Sequence, residues 1–119
     1  KTSGTHEALI AMKYYASHYL WHAGQNQLFR MQRIGLDISS HVFLSMESLE
    51  EEVRQTQWLN GLIVLVPCQT EMREGEPFLD FCQRVSLSVA GGEALYAFHV
   101  SDFNLQKMEF SSRSRLRRL

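Results

Sequence analysis

Apolar residues recur at steps of three and four along the start of the chain: Leu9, Met12, Ala16, Tyr19 and Ala23. That spacing draws one stripe down a helix. Thr5 can cap such a helix and Glu7 complements the positive end of its dipole. The pattern predicts one long helix over residues 6–33 with a weak point at Gly24, or two helices, stopped at Gly35. His41–Met46 reads as a short strand. Ser48 and Glu51 make a Ser-x-x-Glu capping box. It opens a second predicted helix, with Leu49, Val53, Trp58 and Leu59 on its apolar side and Asn60-Gly61 at its end.

Leu62–Val66 is a continuous aliphatic run, as in a strand covered on both faces. Residues 77–90 fit two patterns. Phe78, Phe81, Cys82, Val85 and Val89 share a helical face, framed by Pro77 and Gly91, whereas Val85, Leu87 and Val89 alternate with serines as in a strand. The helical reading gives strand, helix, strand, helix, strand from His41 to Val100. The expected fold is therefore α/β: a small three-layer domain with a mostly parallel sheet, preceded by a long N-terminal helix. The alternative is an α+β domain with an antiparallel meander.

The chain has 119 residues, 45% hydrophobic and 21% charged, which suits one globular domain. Residues 1–110 are assigned to it. Residues 111–119, with four arginines in nine positions, read as a basic Ser/Arg-rich C-terminal tail. A net charge of −1 argues against a polyanion-binding domain as a whole. No apolar run is long enough to span a membrane. Two cysteines, Cys68 and Cys82, are too few for a disulfide scaffold and suggest a reducing, cytoplasmic setting.

Candidate chemistry is sparse. His18 and His22 have the spacing of metal ligands on a helix, but no third ligand is spaced to join them. Cys68 follows a predicted strand, with His41 or His99 as a prospective base, yet no adjacent residue activates it. Glu47, Glu71 and Asp102 follow the three predicted strands and would gather at one edge of a parallel sheet, where they could hold Mg²⁺ or exchange protons. Arg113, Arg115, Arg117 and Arg118 could touch phosphates. There is no complete phosphate loop. Asp37-Ile38-Ser39 resembles the start of the Asp-x-Ser-x-x-Gly motif of PilZ domains, but Val42 occupies the glycine position and the arginine motif is missing. The stretch from Gly61 to Val85 resembles a response-regulator receiver but lacks the phosphate-accepting aspartate. Neither likeness assigns a family.

The sequence is therefore read as a non-catalytic regulatory or protein–protein interaction domain without a cofactor or bound metal. It is expected to form a homodimer through its N-terminal helix, with Tyr14, Tyr15, His18, Trp21 and His22 at the interface. Two other functions stand beside it: an α/β enzyme or nucleotide/Mg²⁺ binder using the carboxylate edge, and weak nucleic-acid contact through the basic tail.

Overall fold

Aromatic and β-branched residues recur in residues 12–22, 56–66 and 96–100, which pair as strands, whereas residues 78–88 form a helix. The computed structural model describes residues 11–49 and 55–119. In chain order the elements are β1 (Met12–His22), β2 (Gln27–Asp37), β3 (Phe43–Ser48), β4 (Thr56–Val66), α1 (Phe78–Ser88), β5 (Tyr96–Val100) and β6 (Leu116–Arg118). The strands make one mixed sheet in the order β3-β2-β1-β4-β5-β6. Only the β1/β4 pair is parallel; every other neighbouring pair is antiparallel.

This corrects the expected α/β fold with its long N-terminal helix and mostly parallel sheet. Residues 12–22 and 27–37 are two strands of a hairpin, and the polar interruption Gly24-Gln25-Asn26 is its turn. The predicted cap at Thr5 and the beginning of that stripe lie outside the described residues. The second predicted helix is corrected too: Trp58 and Leu59 belong to β4, and Ser48 ends β3. The part of that helix at residues 50–54 lies outside the described residues. Residues 78–88 are helical, in the segment where two patterns competed.

The physical reason for the misleading stripe lies in β1 itself. Both faces of this strand are covered: Trp21 packs with the α1 residues and Leu20 with the cluster on the opposite face. Ala16, Ser17, Leu20 and Trp21 are all buried. A break also falls at His18. Tyr15 and Leu20, five residues apart, pack on one side of the sheet, which strict alternation forbids. The same odd spacing separates Phe29 from Ile34 in β2, where Met31 adopts a φ of 52°. β4 carries one extra residue opposite this break. Ser17 pairs with Leu59 but Tyr19 pairs with Leu62. The bulge sits at Asn60-Gly61, where Gly61 takes a φ of 100°, a backbone state that glycine reaches without strain. Asn60-Gly61 is therefore a strand bulge and not a helix end. The buried Ser17 hydroxyl donates to the Tyr19 carbonyl at 2.8 Å and so is not left unsatisfied.

The sheet rolls up. Val42 forms an antiparallel bridge with Tyr96, and the Phe43 N–H donates to the Leu95 carbonyl at 2.8 Å. One end of β5 thus meets the start of β3, and the other end pairs with β6. Inside the roll lie Leu20, Ile34, Leu36, Ile63, Leu65, Ala97 and the C-terminal Leu119. Outside it, α1 lays Phe78, Phe81, Cys82 and Val85 on Trp21, Leu62, Val64, Val66 and Phe98. Leu62–Val66 is consequently buried on both faces. Burying each large side chain contributes about 1.5–3 kcal/mol. The β5–β6 connection folds over the start of α1. Phe103 and Phe110 meet Phe78 edge-on at centroid distances of 5.1 and 5.6 Å.

Candidate functional site

The residues expected at one helical interface are distributed over both faces of a central strand. Tyr14 is half-buried beneath the Arg33 guanidinium, 4.3 Å from its ring centroid, and Arg33 also pairs with Glu47. Tyr15 points into the roll. His18 is exposed and meets Trp58 edge-on at 4.8 Å. Trp21 lies beneath α1, 6.0 Å from Phe81. His22 accepts the Gln25 N–H at Nδ1 (3.1 Å) and packs edge-on against Phe43 at 5.7 Å. Its burial lowers the imidazole pKa below the ordinary value. These five side chains do not share one surface.

The histidine pair fails for a related reason. Four residues along a helix bring two side chains together, but along a strand they span about 13 Å. His18 and His22 each have an aromatic neighbour of their own. Among the described residues no group of three His, Cys, Asp or Glu side chains converges on a metal-sized site.

The three carboxylates also separate. Glu47 lies within β3 and is held by Arg33. Glu71 sits in the loop after β4, where its carbonyl accepts from Arg84 at 2.9 Å. Asp102 follows β5, which runs antiparallel to β4, so it leaves the sheet in the opposite direction from Glu71. Its carbonyl accepts the hydroxyls of Ser111 and Ser114, both at 2.9 Å.

Cys68 is exposed just past β4, and its closest polar partner is the Arg118 guanidinium at 3.6 Å. Neither prospective base turns to it. His41 meets the Lys13 amine at 2.9 Å, and His99 contacts the Asn60 carbonyl at 2.7 Å. Cys82 is buried on the sheet-facing side of α1, where desolvation, helped by the charge of Glu76, pushes its thiol up to about 12. A cleft of about 950 Å³ opens between residues 70–77 and 109–116, floored by Phe98 and Phe110. Its acidic wall includes Glu76, whose carboxyl is held below the usual range by a 2.8 Å hydrogen bond from Arg84. Among the described residues no histidine or cysteine lines this cleft.

The arginine-rich end is ordered. Serines fix the turn that leads into it: the Ser114 hydroxyl is buried against Asp102, and the Arg115 N–H donates to the Ser101 hydroxyl at 3.1 Å. Leu116–Arg118 then pairs with Val100–Phe98 as β6. Leu116–Arg118 are thus part of the sheet, and Ser114 and Leu119 are buried. Arg113, Arg115, Arg117 and Arg118 are all exposed.

The structure adds one feature that the sequence analysis missed. On the outer face of α1, Leu79 and Leu87 are 77% and 80% exposed. The signal was available, since neither leucine falls on the helical face shared by Phe78, Phe81, Cys82 and Val85. Among the described residues no helix is long and apolar enough to cross a membrane. No family model, curated protein or solved structure matches this chain.

Proposed function

We propose that the domain is a non-catalytic protein-interaction module that associates with a second copy of itself through the outer face of α1. The observation that carries this reading is the pair of leucines at positions 79 and 87. They stand two turns apart on either side of Gln83, at steps of four residues, so all three share a face. Other α1 residues already supply the contact with the sheet, and the packing of the domain does not use these two. The stripe is self-complementary. In an antiparallel pair, Leu79 meets Leu87 of the second copy and Gln83 meets Gln83, whose amide both donates and accepts. That is the requirement for a two-fold interface. The arrangement also avoids a charge clash: Asp80 falls opposite Ser86, and Arg84 is already occupied by Glu76.

An 11-residue helix covers less than the roughly 800 Å² per partner of a standard interface, so association is expected to be weak and concentration-dependent. Two free thiols, one exposed, favour the cytoplasm as the setting for such a module. Sedimentation velocity over a concentration series tests the proposal. The wild type should shift from monomer to dimer, and Leu79→Glu with Leu87→Glu should remain monomeric with an unchanged melting temperature. A wild type that stays monomeric at millimolar concentration, or a dimer indifferent to both changes, overturns the reading.

A further inference from the structure

We propose that the open edge of β6 captures an acidic, extended polypeptide segment by adding it to the sheet as a further strand. This surface is separate from the outer face of α1, so a monomeric protein would still bind, and the two proposals fail independently.

The first support is backbone geometry. β6 is the last strand of the sheet. Its ladder with β5 is flanked by two bonds, Leu119 N–H to the Ala97 carbonyl at 2.9 Å and Ser101 N–H to the Arg115 carbonyl at 3.0 Å. Antiparallel pairing alternates hydrogen-bonded and open positions. Residues 115, 117 and 119 therefore turn their backbone groups inward, and Leu116 and Arg118 turn theirs outward. Among the described residues nothing pairs with those outward groups. Two N–H and two C=O groups, spaced two residues apart, form a template for one more strand.

The second support is charge. Arg117 and Arg118 lie in this strand and no carboxylate pairs with either among the described residues; Arg115 precedes it, its guanidinium bound to the Ser112 and Ser114 carbonyls, beside the cleft that holds Glu71, Glu74, Glu76 and Glu109. Arg117 stands opposite His99 on one face of the sheet. Arg118 lies on the other face, 5.9 Å from the Tyr96 ring centroid. Cations thus flank the open edge on both sides, and the arginine fork suits carboxylates. A second β6 would bring arginine against arginine, so the same charges oppose self-pairing here. A nucleic-acid strand would meet the charges but offers no peptide backbone for the outward N–H and C=O groups. An acidic extended segment satisfies both.

The test is an amide-resolved NMR titration of the full chain with an octapeptide of alternating glutamate and threonine. A lysine–threonine octapeptide and an oligothymidylate of equal negative charge serve as comparisons. The outward amides of Leu116 and Arg118 should shift and gain exchange protection with the acidic peptide, and should not respond to the basic one. Arg117→Glu with Arg118→Glu should weaken binding about tenfold or more. Arg118→Pro removes an outward donor as well as a charge, while Arg118→Ala removes the charge alone. The proline variant should bind about fivefold more weakly than the alanine variant, the worth of one hydrogen bond. Melting curves identify any variant that fails to fold; the protection pattern of the wild type then decides. Equal binding by the alanine and proline variants overturns strand addition. So does oligothymidylate binding as tight as that of the acidic peptide, which would mean general polyanion contact. No binding of the acidic peptide would leave the arginines as protection of an edge against aggregation, and also overturns the proposal.

Discussion

Replacing Leu119 with alanine should destabilise the whole domain, although the residue follows an arginine-rich run. The side chain is only 9% exposed and belongs to the cluster inside the rolled sheet, with Leu20, Ile63, Leu65 and Ala97. Its backbone N–H is bound to the Ala97 carbonyl, which holds the side chain over the opening of the roll. Core leucine-to-alanine changes cost about 2–5 kcal/mol. Leu119 is the most exposed member of its cluster, at 9%, so the low end, about 2 kcal/mol, applies. For a chain of this size that corresponds to a fall in melting temperature of roughly 6–10 °C. Urea unfolding followed by tryptophan fluorescence is a direct assay, because Trp21 is buried between the sheet and α1. The midpoint should fall while the slope of the transition is unchanged. Arg117→Ala, an exposed change in the same strand, should alter stability by less than about 0.5 kcal/mol. If Leu119→Ala is as mild as Arg117→Ala, Leu119 does not close the core and the account of the rolled sheet is wrong.

Two further outcomes follow from the titrating groups. In the native protein one thiol should react promptly with a disulfide reagent and the other should not: Cys68 is exposed, whereas the Cys82 thiol, pushed up to about 12, stays protonated until the domain opens. Counting modified cysteines by mass spectrometry before and after adding urea checks this, and rapid native labelling at Cys82 would contradict it. His22 should make stability fall in mild acid. Its folded pKa is depressed below 6.5 by burial, so the unfolded chain binds the proton more readily, and stability is lost as pH drops through 6.5 towards the folded value. Denaturant midpoints of the wild type and His22→Gln between pH 7.5 and about 5 test the sign, and the wild type should show the steeper decline.

Some elements were legible in the sequence because one local cause was sufficient for each. Leu62–Val66 has no polar position, and only a chain buried on both faces tolerates that. Pro77 and Gly91 bracket a segment whose Phe78, Phe81, Cys82 and Val85 fall on one helical face, and that face is the one packed on the sheet. The pair of adjacent tyrosines at 14 and 15, with Tyr19 and Trp21, carries the aromatic bias of a strand. The three- and four-residue spacing around them pointed to a helix instead.

Tertiary structure decided the rest. β1 is covered on one face by α1 and on the other by the interior of the roll, and that burial erases the alternation by which a strand announces itself. The break at His18, matched by Met31 and by the Asn60-Gly61 bulge, shifts the inward positions by one residue and produces a helix-like step. Asp102 is carried away from Glu71 because β5 runs antiparallel to β4, a direction that no residue in either strand encodes locally. The run SSRSRLRRL reads as solvated by composition, yet its serines lock a turn and its last leucine fills the core. Charge and propensity act on a residue and its near neighbours along the chain. Which strand lies beside which, and so which side chains meet water, is set by contacts between residues far apart in sequence, such as Leu119 with Ala97 and Val42 with Tyr96.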